Sequence, residues 1–340
     1  MDHMKSLVYF SIKKATVQTI SEYQQYFSEY LERQYISKEP KNLYEPISYI
    51  LQLGGKRLRP VLVLMSSEIF GTSYTKALDA ALAVEVFHNF SLIHDDIMDD
   101  APLRRGEETV HEKWDLNTGI LSGDAMLIRA YQLFENYDSQ IFKELAQLFS
   151  ITAIQVCEGQ QYDIDFETRE NVTIAEYIKM IEFKTAVLVG AALKMGAIVA
   201  GVGDQEKALI YDFGRLLGLA FQLQDDYLDA FGDPKSFGKQ VGGDIIENKK
   251  TFLFLKAFEH GTPKEKKELL GLFSLNPENP SQKIELVKSL YEDTGARELT
   301  RKEIEKYTDK AFSVLKKLDI TEDRKVLLRS FGENLMNRSV

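Results

Sequence analysis

The chain has 340 residues, with 42 basic against 52 acidic side chains and a formal net charge of −10. That balance argues against a nucleic-acid partner or an anionic membrane surface, so its basic residues are expected to act locally. The single cysteine, Cys157, excludes an intrachain disulfide and any paired-cysteine metal site, fits a reducing compartment such as the cytoplasm, and reads as a core residue.

Residues 11–35 alternate apolar and polar side chains at helical spacing and read as an amphipathic covering helix. The apolar run 7–10 before them is too short for the core of a signal peptide, which again points to the cytoplasm. Pro40 and Pro46 punctuate a loop and a first helical turn, Asn42 is a candidate N-cap, and Gly54-Gly55 ends that helix. The stretch GGKRLRP then sets Lys56, Arg57 and Arg59 on a glycine-loosened turn suited to an anion, and Pro60 opens an apolar helix to Phe70.

Residues 76–100 read as a long helix ending in HDDIMDD. Asp95 and Asp99 lie four apart on one face, with Asp96 about 100° round, so the cluster can present three carboxylates to one side. Like charges at that spacing repel, and the C-terminal end of a helix is already its negative end. Such a cluster expects a cation. Pro102 breaks the helix, and Arg104 and Arg105 follow in a loop, where guanidinium forks match phosphate oxygens.

Two more helices cover 117–137 and 141–165, the second ending in EGQQYDIDFE, where Gln160 and Asp163 turn toward a cavity. Residues 173–203 read as one helix with FKTAVL at its centre; Lys184 and Thr185 would be buried there, and the lysine would need a carboxylate or diphosphate partner. Its stretch 186–203 approaches membrane-spanning length, but Lys194 in the middle and the many glycines and alanines favour close packing at the centre of a bundle. Asp204 caps the next helix, which runs into QLQDDYLD, where Asp225, Asp226 and Asp229 repeat the first cluster's plan ahead of Lys239, Lys249 and Lys250. Thr262-Pro263, Ser281 and Thr321 mark later helix starts. No period-two run of strand length and no linker appear, so the expected class is all-α with strand content close to zero. Two DDxxD clusters of hard oxygen donors, each followed by basic residues, suit Mg²⁺ or Mn²⁺ with substrate phosphates completing the coordination.

On GGKRLRP, HDDIMDDAPLRRG, FKT and QLQDDYLD through Lys249-Lys250-Thr251, residues 54–251 resemble the trans-isoprenyl diphosphate synthases, the polyprenyl synthetase family. The resemblance implies an isoprenoid synthase bundle of about ten core helices around a deep central cavity, a single domain over 1–340, and a homodimer. It implies head-to-tail prenyl transfer, in which an allylic diphosphate ionises and isopentenyl diphosphate captures the carbocation. Asp95, Asp96, Asp99, Asp225, Asp226 and Asp229 match the family's metal-binding aspartates, which hold about three Mg²⁺, with Mn²⁺ as a substitute. Arg104, Lys184 and Lys239 match the allylic-diphosphate positions. Lys56, Arg59, His88 and Arg105 match those that hold isopentenyl diphosphate, with Arg338 of the C-terminal tail reaching the same place. Lys184, Thr185 and Gln222 match groups whose oxygens face the carbocation, and Lys249 a lysine on a closing lid. Phe90 and Ser91, ahead of Asp95, match the positions that set product length, and their pattern favours geranylgeranyl over farnesyl diphosphate. The bare helical wheel puts Phe90 about 140° from Asp95 and leaves Phe87, a turn deeper, as an alternative floor. Three rivals stand beside this reading. A cyclising terpene synthase needs no second diphosphate site, a non-catalytic partner subunit typically loses an aspartate motif, and a calcium-binding module needs a spacing that neither cluster has.

Overall fold

The computed structural model describes residues 18–34, 38–233 and 241–336. The start of the expected covering helix, Lys239 and Arg338 lie outside the described residues.

Helix α1 (Ile20–Glu32) begins at a capping box between Thr19 and Glu22 and lays Tyr23, Phe27 and Leu31 into the core at four-residue spacing. Helix α2 (Lys41–Gln52) begins directly after Pro40, not at Asn42, because the extended proline already supplies the non-helical residue before the first turn. Helix α3 (Leu58–Ile69) starts two residues before Pro60, from Arg57 in a left-handed conformation. Helix α4 (Leu78–Met98) carries the first aspartate cluster at its C-terminal end.

The loop expected after it is a tight hairpin. Strands β1 (Leu103–Arg104) and β2 (Glu107–Glu108) pair antiparallel, and Arg105 and Gly106 both take positive φ at the turn, as a two-residue hairpin requires. These are the only strands among the described residues.

Helix α5 (Val110–Lys113) leads to α6 (Leu116–Phe134) and α7 (Ser139–Thr168), the last two capped by Asp115 and Asp138. The single helix expected over 173–203 is interrupted: α8 (Ile174–Ile181) passes through a π-turn (Glu182–Ala186) into α9 (Val187–Val199). Helix α10 (Asp204–Phe231) follows, with Gly203 as its cap and Asp204 as its first helical residue. Helices α11 (Gly243–Ile246), α12 (Phe252–His260), α13 (Pro263–Leu272), α14 (Ser281–Asp293), α15 (Ala296–Leu315) and α16 (Glu322–Met336) complete the described chain, α13 starting at the expected Thr262-Pro263 capping box.

The glycines of α9 explain its place at the centre. A Cβ on Gly196 would lie 2.3 Å from the Val63 carbonyl oxygen of α3, and one on Gly214 of α10 would lie 2.9 Å from the Gly190 Cα. These helices touch backbone to backbone, and α9 is buried among them. Among the described residues no helix is long and apolar enough to cross a membrane. Cys157 is exposed, contrary to the core position expected, because its face of α7 borders an open cavity rather than packed side chains.

Two hydrophobic clusters form among the described residues. One gathers α1 to α6, α9 and α16, the other α8 and α11 to α14, and α7, α10 and α15 contribute to both. The π-turn sits at their junction, with Phe183 packed on the first and Ala186 inside the second.

Candidate active site

Two cavities meet at that junction. A cavity of about 380 Å³ is lined by Phe90, Ser91 and Asp95 of α4, Val156, Cys157 and Gln160 of α7, and Leu188 of α9. A smaller one, about 140 Å³, is lined by Asp163, Gln222, Asp226, Asp244, Lys249 and Lys250 beside Tyr177, Met180 and Ile181. Lys184 and Thr185 line both, so the π-turn is their common wall.

That turn exists because α7 crosses it without a side chain in the way. A Cβ on Gly159 would lie 2.2 Å from the Lys184 backbone nitrogen, and π-turns of this kind recur at functional sites. Lys184 is less buried than expected, its side chain being 28% exposed, and its partner is a carboxylate: Nζ donates to Asp163 Oδ2 at 2.5 Å. Thr185 Oγ1 donates to Gln222 Oε1 at 3.0 Å, and Gln222 Nε2 donates to Asp226 Oδ1 at 3.0 Å. A hydroxyl and an amide are thereby fixed beside the wall that the two cavities share.

The first aspartate cluster divides in two. Asp95 lies at the cavity wall, and burial pushes its carboxyl up to about 6, Lys184 pulling it back and Asp99 pushing it further. Burial also raises Asp99. Asp96 is 1% exposed and turned away into an ion pair, accepting from Arg104 Nε at 2.8 Å and from Nη2 at 2.5 Å. A residue expected to hold metal and one expected to hold diphosphate thus hold each other.

The second cluster is arranged differently. Asp226 is 7% exposed, accepts from the Tyr177 hydroxyl as well as Gln222, and is raised well above the usual carboxylate range by burial and by Asp244, Asp229 and Asp163. Asp229 Oδ2 accepts from the Asp244 backbone N–H at 2.9 Å, which ties α10 to the start of α11. Lys249 pairs with Glu247 at 2.6 Å. Burial alone would lower its ammonium; Glu247 and the fields of Asp244 and Asp163 raise it instead.

The donor set fits a hard divalent cation, since these carboxylates pay for burial and mutual repulsion that such an ion would relieve. No three of the two clusters' carboxylates bring ligand atoms within 4.8 Å of one another among the described residues. The expected presentation of three carboxylates to one side is therefore not made. Helical steps of 100° splay the side chains, and Asp96 and Asp226 are drawn off by partners.

The basic residues expected at the other diphosphate gather around α4. An Arg59 guanidinium N–H and His88 Nε2 are 3.1 Å apart, and because a guanidinium only donates, the imidazole is neutral and accepts through Nε2. Burial, then Arg59, Arg105, Arg104 and Arg57, holds His88 well below its ordinary pKa. Arg59 Nε is buried without a hydrogen-bond partner. Arg105 donates to the Gly54 carbonyl and lies so close to Gly55 that a Cβ there would be 2.8 Å from its guanidinium carbon. Lys56 is on the same turn. Arg57, read with its neighbours as a loop cation, is instead an anchor. It pairs with Glu85 on α4 and donates to the Leu51 carbonyl, while Asn89 Nδ2 supports Glu85 at 3.0 Å. Glu85 and Asn89, like Tyr177, are not legible from motif spacing.

Phe90 and Ser91 line the larger cavity, whereas Phe87 backs Phe90 at 5.5 Å between ring centroids and does not line it.

The sequence profile described as Polyprenyl synthetase matches residues 40–292. A short chain isoprenyl diphosphate synthase from Methanothermobacter thermautotrophicus is 43% identical over 70% of this chain and 74% of its own. A geranylfarnesyl diphosphate synthase from Natronomonas pharaonis is 35% identical over 94% and 97%. A crystal structure of a geranylgeranyl pyrophosphate synthase superposes with a TM-score of 0.91 at 54% identity, covering 95% of this chain and 100% of that one. An all-α bundle with this site is that of a trans-prenyltransferase. The chain belongs to the polyprenyl synthetase family.

Proposed function

We propose that the protein condenses isopentenyl diphosphate with allylic diphosphates to make a short all-trans prenyl diphosphate, with geranylgeranyl diphosphate as its main product. The observation that carries this reading is the common wall at Lys184 and Thr185, with carboxylates and lysines on one side and, on the other, a larger cavity where Arg59 and His88 stand with the apolar side chains Phe90, Val156 and Leu188. Mg²⁺, about three ions held by Asp95, Asp96, Asp99, Asp225, Asp226 and Asp229, supplies electrostatic stabilisation of the charge that grows on the leaving diphosphate, and Mn²⁺ substitutes.

Arg104, Lys184 and Lys239 hold the allylic diphosphate, Arg104 exchanging Asp96 and Lys184 exchanging Asp163 for phosphate oxygens. Lys56, Arg59, His88 and Arg105 hold isopentenyl diphosphate, the unpartnered Arg59 Nε among the donors. Ionisation breaks the allylic C–O bond, and the electron pair leaves with the diphosphate. The double bond of isopentenyl diphosphate then forms the new C–C bond, and a proton passes to the departed diphosphate. Thr185 and Gln222 face the cation with neutral oxygens, which stabilise it without adding to it. Phe90, Val156 and Leu188 limit water around the cation, and Lys249 closes the polar side.

The growing chain enters the larger cavity and meets Phe90, where Ser91 leaves room that a second aromatic would fill. Relatives named for geranylgeranyl and geranylfarnesyl products support a stop beyond farnesyl. Exposed Leu121 and Ile128 of α6 and Ile151 and Ile154 of α7 support a homodimer through that face. The chain is read as one catalytic domain acting in the cytoplasm.

Incubation with Mg²⁺, isopentenyl diphosphate and dimethylallyl, geranyl or farnesyl diphosphate, followed by chromatography, tests this. A twenty-carbon product is expected, and Phe90→Ala should lengthen it. A product that stops at fifteen carbons would overturn the length assignment, and absence of diphosphate release would overturn the reaction.

A further inference from the structure

Three metal-ligating side chains converge beyond the catalytic cavity, at the foot of the hairpin. Asp100 follows α4, and His111 and Glu112 lie in α5; one donor atom from each falls within 4.8 Å of the others. Exposed acidic groups alone would mean little, and His111 decides the matter. Its side chain is only 8% exposed, and both ring nitrogens are buried without a hydrogen-bond partner. Buried polar atoms are normally paired, because desolvation without a partner is costly. Nε2 lies 3.8 Å from Glu112 Oε1, too far for a hydrogen bond but close to the spacing of two donors on one ion, roughly 3 to 4 Å for bonds near 2.1 Å. Asp100 and Glu112 are both exposed, so rotation of their side chains closes the remaining distance.

We propose that Asp100, His111 and Glu112 form a site for one divalent transition-metal ion of the zinc class, separate from the aspartate clusters. One imidazole beside two carboxylates favours Zn²⁺ or Co²⁺ over Mg²⁺, which takes oxygen donors and dehydrates reluctantly. Water completes the shell on the exposed side. The ion ties the end of α4 to the start of α5 and so brackets the hairpin that carries Arg104 and Arg105. That hairpin is otherwise closed by Thr109, whose hydroxyl donates to the Ala101 carbonyl at 2.8 Å and whose N–H donates to the Pro102 carbonyl at 3.1 Å.

The test needs no substrate, so its outcome is independent of the proposed reaction. The full chain is dialysed against Zn²⁺ in a large excess of Mg²⁺, and bound zinc is measured; Co²⁺ absorption gives a second readout. The wild type should retain one equivalent. His111→Gln, Glu112→Gln and Asp100→Asn should each weaken retention at least tenfold, while Asp95→Asn and Asp225→Asn leave it unchanged. Should His111→Gln fail to fold, the two exposed positions decide, asparagine being suited to the left-handed backbone at Asp100. No zinc retained under Mg²⁺, or zinc lost only with Asp95→Asn and Asp225→Asn, would overturn the site.

Discussion

At the end of α4, Asp99 is the C-cap residue, and a hairpin folds back so that Arg104 reaches the buried Asp96. On α10 the helix continues past Asp229 to Phe231, and Asp226 is buried instead against Tyr177 and Gln222. The same DDxxD spacing therefore yields a middle carboxylate compensated by a guanidinium in one place and one held by a hydroxyl and an amide in the other. Spacing fixes which way each carboxylate points; what answers it is set by chain that arrives from elsewhere.

If both clusters serve one diphosphate, removing either is the severest change. Asp95→Ala and Asp225→Ala should each cut prenyl transfer at least ~10³-fold, about 4 kcal/mol of transition-state stabilisation, with helical circular dichroism retained. A substantial rate left in one variant would show that the clusters are not partners.

The anchor beneath the basic pocket comes next. Glu85→Ala leaves Arg57 uncompensated in a buried pair, which should cost roughly 3 to 5 kcal/mol in urea denaturation. An unchanged midpoint would mean that the pair does not hold the turn.

Smaller effects separate the two diphosphate sites. Lys56→Ala and Arg105→Ala should raise KM for isopentenyl diphosphate, and Arg104→Ala that for the allylic substrate, each by roughly 10- to 150-fold from a charge-assisted contact worth about 1.5 to 3 kcal/mol. Equal changes in both constants for all three variants would count against the division.

The smallest effect is in pH. Asp95 holds its proton to about 6 in the fold against 3.8 ordinarily, so the folded chain binds more protons than the unfolded one between those values. The metal-free protein should then lose stability as pH rises through that window, on the order of 1 to 3 kcal/mol, and Asp95→Asn should flatten the slope. A stability that rises there through Asp95 would reverse the assignment.

Helical spacing made most elements legible, and the paired motifs made the site legible as a set of residues. What spacing could not show came from distant chain. The π-turn that presents Lys184 depends on Gly159 lying against it from α7. Tyr177 reaches Asp226 from 49 positions away and Glu85 reaches Arg57 from 28, so neither belongs to a local pattern. Cys157, read as core, instead borders the larger cavity, which forms only when α4 and α9 pack against α7. Phe90 stood on the wrong side of a bare wheel, but the cavity extends far enough round α4 for Phe90 and Asp95 both to line it.

The central claim is that neither cluster is a finished metal site until a diphosphate bridges them and draws Arg104 and Lys184 from Asp96 and Asp163. Calorimetric titration of Mg²⁺, with and without a non-ionising allylic thiolodiphosphate, tests it most directly. Weak uptake by the protein alone and tight uptake of about three ions with the analogue present are predicted. Equally tight Mg²⁺ binding without the analogue, or analogue binding that ignores Mg²⁺, would contradict it.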